Sequence, residues 1–409
     1  MKLAYVLYRY PSLSQAFILR EIGQLRAMGF EIQPFALRRQ SADHLLAAAD
    51  RAEAETTVAL LPLLPMALLR AHVAALARSP GAYLRTLGSA LAEGGLDVRE
   101  VARQAGAFAL AVIVAERMRG TGARHVHTHF AGTPNHVASL VARLGNATDG
   151  GEHWSWSVTI HGPVEFFDVS EYRLRQRVEE ARFVAYVSEF ARDQLLAAID
   201  STQWAKLHLV RCGLDAEPFA AHERALKDRD ERVELVTVGR HVHVKAQSVL
   251  IRAFAEAHRD GANAHLTIIG DGPLHTDLRQ LAAELDLGDA VTFTGALGQD
   301  DIPDHLRRAD VFCLSSAAES LPVVLMEAMA SGLPVVSTDV GGISELVEEG
   351  VCGLLTPSGD SAAFAEALKR LCAEPELRFE MGAAGRQRVR EEFDLRKSAA
   401  ALATLLEDR

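Results

Sequence analysis

Residues 311–336 read VFCLSSAAESLPVVLMEAMASGLPVV. The stretch opens with an apolar run, Val311–Leu314, that is typical of a buried strand. A helix is predicted next over residues 321–330, with Ser320 as its N-cap. The apolar run Pro334–Ser337 then completes a strand–helix–strand unit. Such a unit predicts a parallel sheet, because consecutive parallel strands need a crossover connection, which is usually a helix.

The same alternation extends over the whole second half of the chain. Its predicted strands are Leu235–Val238, His265–Ile269, Val291–Thr294, Val311–Leu314, Pro334–Ser337 and Gly353–Leu355. Amphipathic helices separate these strands, and this rhythm predicts a doubly wound α/β sheet. Residues 376–409 are predicted to be helical, with a break at Phe393 and Asp394.

The first half has a looser version of the pattern. Its predicted strands are Leu3–Tyr8, Phe30–Leu37, His125–His129, Ser157–Ile160, Phe183–Val187 and Leu207–Val210. Residues 40–120 are rich in Ala and Leu and are predicted to be mostly helical. The first half therefore predicts a second α/β unit.

The length of 409 residues suits two domains better than one. Residues 217–232 are polar and charged without apolar periodicity, which is typical of a linker. We expect domains at 1–216 and 233–392, with a final helix over 393–409 that crosses back to the first. Ligands of such sheets bind at the carboxyl ends of the strands, so a cleft between the domains is the expected site.

Charge and cysteine usage exclude some classes of protein. The net charge is -11, which argues against a nucleic-acid groove. Residues 1–220 hold 23 Lys and Arg against 22 Asp and Glu, or +1, while residues 221–409 hold 20 against 32, or -12. The four cysteines form no C-x-x-C pair, and neither a signal peptide nor a transmembrane run is recognisable, so a cytoplasmic protein is expected.

Two carboxylates stand out in the opening stretch. Glu319 and Glu327 are separated by seven residues, the first before the predicted helix and the second within it. A helix N-terminus attracts anions, and carboxylates about two turns apart can each hold a polyol. A capped surface helix with ordinary glutamates is the alternative. The flanking Gly341 and Gly342, which follow an apolar strand and allow backbone N–H groups to approach a phosphate or sugar, favour the binding site.

The segment from Glu319 to Leu354 resembles the signature region of family 4 retaining glycosyltransferases, which have the GT-B fold. Val238-Gly239-Arg240 with Lys245 is similar to the G-R-x-x-x-x-K donor-phosphate motif of that family. Ile269–Pro273 resembles its G-D-G-P turn, and Thr159–Gly162 resembles the segment with its N-domain histidine.

The opening of the chain is similar to one subgroup of this family. Tyr10-Pro11-Ser12-Leu13-Ser14, followed by Phe17-Ile18 and Glu21-Ile22, resembles enzymes that make exopolysaccharides, including colanic acid. The resemblance implies transfer of a sugar from a UDP- or GDP-sugar to a glycan or polyprenyl-linked acceptor, with no further cofactor. It is most specific in the second half and loosest over residues 40–120.

The resemblance also implies roles for single residues. Arg240 and Lys245 would stabilise the departing nucleoside diphosphate without a metal ion. Gly270, Gly272, Ser320 and Leu321 would belong to the donor site. Within that site Glu319 would hold the donor sugar, and Glu327 the ribose hydroxyls. The family usually has glycine after the lysine, where this chain has Ala246.

His161 is the candidate for the histidine near the reacting carbon, where an imidazole can bind a hydroxyl or polarise developing charge. A core histidine bonded to the backbone is the alternative. His125, His127 and His129 alternate along one strand and share a face. They could ligate zinc, but the strand lacks nearby Cys or acidic ligands, so no metal site is predicted. His129 is the one expected to line the cleft.

Other classes of function fit less well. A nicotinamide dehydrogenase needs G-x-G-x-x-G, and Gly270-Asp271-Gly272 is not followed by a third glycine. A phosphorylase would need a lysine for pyridoxal phosphate, for which no signature is present. A nucleotide-sugar epimerase of the same fold and a non-catalytic nucleotide-sugar-binding protein stay open. The apolar stretch 58–78 could lie on a membrane surface as a helix, or be a core helix.

Overall fold

The computed structural model describes residues 1–62, 65–150, 153–162, 166, 173–220 and 232–408. The chain separates into two compact units. Unit 1 comprises Met1–Val187, Ala191–Val210 and Ala400–Arg409, and unit 2 comprises Ser188–Phe190 and Arg211–Ala399. The predicted linker 217–232 lies largely outside the described residues, and the domain boundaries drawn from the sequence stay predictions.

Unit 1 is built on a parallel sheet of seven strands in the order β3-β2-β1-β4-β5-β6-β7. The strands are β1 Lys2–Arg9, β2 Glu31–Arg38, β3 Val58–Leu61, β4 His125–His129, β5 Ser155–Ile160, β6 Val184–Tyr186 and β7 Leu207–Leu209. Val6, Val126 and Val158 are buried in its core. The strand order reverses between β1 and β4, and a crevice opens at such a switch point because the connections leave on opposite faces.

The helices of the first half cover this sheet. They are α1 Ala16–Ala27, α2 Ala48–Thr56, α3 Pro65–Arg78, α4 Pro80–Glu93, α5 Val98–Thr121, α6 Thr133–Thr148, α7 Leu174–Glu180 and α8 Glu189–Ala198. The last helix, α16 Leu395–Glu407, contributes its second half to unit 1, where Arg182 donates hydrogen bonds to the carbonyls of Leu405 and Leu406.

Unit 2 has a parallel sheet of six strands in the order β10-β9-β8-β11-β12-β13. The strands are β8 Val233–Val238, β9 Ala264–Ile269, β10 Val291–Gly295, β11 Val311–Leu314, β12 Val335–Thr338 and β13 Gly353–Thr356. The helices are α9 Gln247–Arg259, α10 His275–Glu284, α11 Ile302–Arg308, α12 Val323–Ala330, α13 Ile343–Leu346, α14 Ser361–Ala373 and α15 Pro375–Glu392. The predicted α/β rhythm and the break at Phe393 and Asp394 are confirmed.

The prediction for residues 40–120 was wrong in one respect. Val58–Leu61 forms strand β3 and pairs with β2, so the apolar stretch 58–78 is not one helix. Its first part is β-branched and apolar enough to extend the sheet, and Pro62, whose ring nitrogen has no N–H to donate, directly follows the strand. Helix α3 begins only at Pro65, while Leu63 and Leu64 lie outside the described residues. Among the described helices, none is long and apolar enough to cross a membrane.

Candidate active site

The loops after β8 and β9 pack backbone against backbone. A Cβ on Gly270 would lie 2.0 Å from the carbonyl oxygen of Gly239, and one on Gly272 would lie 2.6 Å from that of His241. Both glycines have positive φ angles, +138° and +154°. Only glycine fits there, so the G-D-G-P turn holds the segment that carries Arg240 in one conformation.

The lysine of the donor-phosphate motif lies in a 3₁₀ turn, His243–Lys245. Ala246 follows with φ +45° and ψ 37°, the left-handed conformation that glycine adopts without cost. Ala246, which stands where the family pattern has glycine, therefore adopts a conformation that is strained for alanine. Gln247, the first residue of α9, donates to the carbonyl oxygen of Arg240 at 2.9 Å and closes this loop.

The loops after β11 and β12 meet in the same way. A Cβ on Gly341, whose φ is +60°, would lie 1.7 Å from the carbonyl oxygen of Glu319, and one on Gly342 would lie 2.0 Å from that of Ser320. The two glycines thus bring the backbone of the 341–342 loop onto the residues that precede α12.

The predicted N-cap of this helix was wrong. Helix α12 begins at Val323, with Pro322 as the residue before it, and the Ser320 hydroxyl lies 2.9 Å from that of Ser188 instead. The residue before a proline is pushed out of the helical region, so Leu321 stays outside the helix. Glu319 nevertheless lies in the loop and Glu327 within the helix, as predicted.

The two strongest motifs of the second half meet at one ion pair. The Lys245 ammonium lies 2.5 Å from Glu319 Oε1, and the Ser316 hydroxyl donates to the same oxygen at 2.7 Å. Both loops stand at the carboxyl edge of the unit 2 sheet, where ligands of such sheets bind. Glu345, in contrast, accepts hydrogen bonds from the backbone N–H groups of Glu189 and Phe190, so its carboxylate stabilises a chain turn.

Unit 2 contains a pair of histidines, His241 and His275, beside the G-D-G-P turn. His241 Nδ1 is 3.1 Å from His275 Nδ1, with the ring planes within 11° of parallel, and Asp271 Oδ1 is 3.7 Å from His275 Nδ1. Burial, and then the neighbouring His275, lower the pKa of His241. Sequence reasoning missed this pair, because its members are 34 residues apart.

In unit 1, the candidate histidine lies directly after β5 and contacts a second histidine at the end of β4. His161 Nε2 is 2.9 Å from His129 Nδ1, and His129 Nε2 is 3.0 Å from Glu21 Oε1 on helix α1. The Tyr5 hydroxyl donates to the same carboxylate oxygen at 2.8 Å. Burial, and then the neighbouring His129, lower the pKa of His161 well below its ordinary value.

Two of the alternating histidines of β4, His125 and His127, have hydroxyls of β5 as hydrogen-bond partners. His125 contacts Ser155 and Ser157, and His127 contacts Ser157 and Thr159, at 2.8–3.0 Å. The strand has no acidic neighbour in sequence, but α1 supplies one, and the donor atoms of Glu21, His127 and His129 come within 4.8 Å of one another. Hydroxyls already engage both nitrogens of His127, so hydrogen bonding accounts for the cluster.

A cavity of about 510 Å³ opens beside His129 at the switch point of the unit 1 sheet. Tyr8, Phe130, Gln104 and His136 are among its lining residues. Gln104 Oε1 and His136 Nε2 are buried and have no hydrogen-bond partner among the described residues.

The protonation of His136 follows from its neighbour. Burial, and then Arg177, lower the pKa of His136 to about 3, so the ring is neutral. The Arg177 guanidinium can only donate, and it contacts His136 Nδ1, so the proton of the ring is on Nε2. Two residues that line the cavity thus carry a buried acceptor, Gln104 Oε1, and a buried donor, His136 Nε2–H, without a hydrogen-bond partner among the described residues.

Comparisons with known proteins agree with this geometry. The sequence profile of the family described as "Glycosyl transferases group 1" matches residues 219–388. The amylovoran biosynthesis glycosyltransferase AmsK of Erwinia amylovora is 30% identical over 435 aligned positions, covering 100% of this chain and 99% of the relative. The putative colanic acid biosynthesis glycosyltransferase WcaL of Salmonella typhimurium is 28% identical over 90% of each chain.

The same fold is known from a solved structure. Anabaena Alr3699/HepE, in complex with UDP-glucose, superposes with a TM-score of 0.73 at 17% identity, covering 100% of both chains. The two doubly wound units are those of the GT-B fold. The chain belongs to the glycosyl transferases group 1 family and is a glycosyltransferase. The similarity to the exopolysaccharide subgroup is confirmed by AmsK and WcaL.

Proposed function

We propose that this glycosyltransferase transfers a sugar from a nucleotide-sugar donor to a glycan or lipid-linked acceptor, with retention of the anomeric configuration. The observation that carries the proposal is the contact of Lys245 with Glu319. This contact places a cation that can bind a diphosphate next to a carboxylate that can bind sugar hydroxyls, at the carboxyl edge of the unit 2 sheet. The names of AmsK and WcaL support a role in exopolysaccharide or other cell-surface polysaccharide synthesis.

The donor is bound by unit 2 in this proposal. Arg240 and Lys245 neutralise the diphosphate as its bond to the sugar breaks, and the backbone N–H groups of Ser320 and Leu321 and of Gly341 and Gly342 add hydrogen bonds. Glu319 binds the hydroxyls of the donor sugar, and Glu327 binds the ribose. The UDP-glucose complex of the similar HepE structure supports a UDP-sugar, and a GDP-sugar is the other donor to test.

His161 acts next to the reacting carbon. A neutral imidazole there can accept a hydrogen bond from a sugar hydroxyl or polarise developing charge. No carboxylate is assigned as a nucleophile, so departure of the diphosphate and attack by the acceptor share one face. NMR of the anomeric proton of the first product tests this stereochemistry, and an inverted product would overturn it.

The cavity of unit 1 is the proposed acceptor site. A hydroxyl can both donate and accept, so a sugar satisfies Gln104 Oε1 and His136 Nε2–H together. Leaving a buried polar group without its ligand partner costs about 1–3 kcal/mol. Gln104→Leu should therefore raise the KM for the acceptor by about fivefold or more, whereas the KM for the donor should stay unchanged.

The experiment that tests transfer measures the release of nucleoside diphosphate from UDP- and GDP-sugars, with and without a polyprenyl-linked acceptor. Release that depends on the acceptor and yields an extended glycan supports transfer. Rearrangement of the nucleotide sugar without acceptor would indicate an epimerase, and tight binding without turnover would indicate a binding protein.

A peripheral membrane contact is proposed for helix α3. Met66, Leu69, Val73 and Leu76 form a stripe, the α3 stripe, whose side chains are 41–60% exposed. Their spacing of three and four residues places them on one helix face. Residues 65–93 contain three arginines and one glutamate, which suits an anionic surface.

Vesicle co-sedimentation tests the contact. Wild-type protein should sediment with phosphatidylglycerol vesicles and stay in solution with phosphatidylcholine vesicles. The double variant Leu69→Ser with Val73→Ser should stay in solution with both, whereas Phe379→Ser, at an exposed phenylalanine of unit 2, should behave as wild type. Equal behaviour of the three proteins would contradict the contact.

A further inference from the structure

Three titratable side chains of unit 1 form one hydrogen-bonded chain that ends at His161. Glu21 comes from α1, His129 from the end of β4, and His161 from the residue after β5. The two links measure 3.0 Å for Glu21 Oε1 to His129 Nε2 and 2.9 Å for His129 Nδ1 to His161 Nε2. Both imidazoles are buried, and the Glu21 side chain is 16% exposed, so water competes little for the link between the two rings.

The carboxylate decides where the protons are. Glu21 Oε1 accepts from the Tyr5 hydroxyl at 2.8 Å, and an ionised carboxylate can only accept. His129 must therefore present an Nε2–H to Glu21. A neutral His129 then has its lone pair on Nδ1, and this lone pair accepts from the Nε2–H of His161.

We propose that Glu21 and His129 are positioning residues for His161, and that they hold the neutral His161 ring as its Nε2–H tautomer with the lone pair on Nδ1. The inference rests on the proposed role of His161 in glycosyl transfer and adds the groups that set its proton positions. Hydrogen-bond partners of a functional imidazole fix its tautomer and orientation in other sites.

The same chain predicts what happens when a proton is added. Protonation of His161 Nδ1 lets the Nε2 proton move to His129 Nδ1, which gives a His129 imidazolium beside the Glu21 carboxylate. His161 then carries its proton on Nδ1 and has become a donor at the nitrogen that was an acceptor. Protonation of His161 therefore changes the proton positions on both rings.

Among the described residues, aromatic rings and histidines make up much of the surroundings of His129. Its ring centroid lies 5.8 Å from that of Tyr5, 5.1 Å from that of His127 and 6.3 Å from that of Phe17. Burial, and then the neighbouring histidines, lower the pKa of His127 well below its ordinary value, so that ring is neutral. Glu21 is thus the charge expected to govern the His129–His161 pair.

Glu21→Gln tests the proposal because the amide keeps the shape and removes the charge. A carboxylate at the end of this chain favours uptake of the extra proton, so its removal should lower the pH at which His161 gains a proton on Nδ1, by roughly one unit. We expect the acidic limb of the kcat–pH profile to move to lower pH by that amount, with the donor KM nearly unchanged. His129→Gln keeps a donor toward Glu21 but breaks the link to His161, and it should lower kcat about tenfold or more.

His125→Gln is the matched control. It removes a buried imidazole from the same face of β4, and its ring contacts Ser155 and Ser157 rather than His161. This variant should keep the kcat and the pH profile of the wild type. Thermal unfolding of all three variants separates loss of fold from loss of function.

A second readout does not depend on activity. In protein labelled with ¹⁵N-histidine, the signals of His161 are assigned by their loss in His161→Ala, and their shifts report which nitrogen is protonated. We expect Nε2–H in the wild type and a mixture of tautomers in His129→Gln. An Nδ1–H tautomer in the wild type, or an unchanged pH profile in Glu21→Gln, would overturn the inference, whereas full activity of His161→Ala would instead overturn the proposed role of His161.

Discussion

Lys245 and Glu319 form an ion pair, with 2.5 Å between Nζ and Oε1, although 74 residues separate them. The cation expected to bind the diphosphate is thus held by the carboxylate expected to bind the sugar. Donor binding must rearrange this pair, since the two groups would then take different partners.

The ion pair sharpens the expected difference between the two glutamates. Glu327→Gln should weaken binding of the intact donor and of free nucleoside diphosphate alike, by about 1.5–3 kcal/mol for each bond lost to the charged group. Glu319→Gln should slow turnover of the donor while leaving diphosphate binding unchanged or slightly tighter, because Lys245 loses its competing partner. Calorimetry with UDP, GDP and their sugars measures both. Equal loss of diphosphate binding in the two variants would show the division of roles to be wrong.

Metal ions should be dispensable for transfer. Arg240, Lys245 and the helix N-terminus after Leu321 provide positive charge for the departing diphosphate, and the Asp-x-Asp triplet of the sequence, Asp228-Arg229-Asp230, falls in the charged stretch predicted as a linker rather than after a predicted strand. Activity in EDTA should match that in Mg²⁺, while Arg240→Gln should lower kcat at least tenfold. Activity that disappears in EDTA and returns with Mg²⁺ or Mn²⁺ would contradict this.

Gly341 and Gly350 provide a matched pair of substitutions. Both have positive φ, +60° and +75°, so alanine costs about 1–2 kcal/mol of conformational strain at either position. Only at Gly341 would the new Cβ also collide with the carbonyl oxygen of Glu319, whereas nothing lies within 4 Å at Gly350. Gly341→Ala should therefore weaken donor binding, and Gly350→Ala should keep the donor KM and lose only stability. The same donor KM in both variants would contradict the role of this contact.

Ala246→Gly should stabilise the protein. Ala246 is left-handed, with φ +45°, and glycine removes that strain at the cost of a more flexible unfolded chain. The net gain expected in the free energy of unfolding is about 0.5–1 kcal/mol. Ala283→Gly, at an exposed position inside α10, should instead lose about 1 kcal/mol. Chemical denaturation followed by circular dichroism measures both, and a loss in Ala246→Gly would contradict the strain.

Unit 1 should lose stability at mildly acidic pH. Burial lowers the pKa of His125, His127, His136 and His161 in the folded protein, whereas the unfolded imidazoles bind protons near pH 6.5. The unfolded chain therefore gains protons that the folded chain excludes, and the free energy of unfolding should fall below about pH 6.5, by about 1.4 kcal/mol per pH unit for each such histidine.

Tryptophan fluorescence follows this loss, because all three tryptophans lie in unit 1. The free energy of unfolding is measured by denaturation at several pH values between pH 7.5 and pH 5. It should fall less steeply with decreasing pH in His125→Gln than in the wild type. Equal slopes would mean that His125 is protonated in the folded state.

The amino-acid sequence alone predicted the two parallel sheets, the strand-end positions of Arg240, His161 and Glu319, and the break before α16. These features follow from apolar runs and helix periodicity, which are properties of neighbouring residues. Strand β3 escaped prediction, because a run of four apolar residues fits a strand or a helix equally well until a neighbouring strand is present.

Only the tertiary structure decided which distant side chains meet. The pairing of Lys245 with Glu319 and the chain from Glu21 through His129 to His161 depend on the register of parallel strands, which brings loop ends together at one edge of a sheet. Gln104 and His136 carried no signal in the sequence, because a polar residue on a helix is ordinary until burial removes its water and no protein partner replaces it.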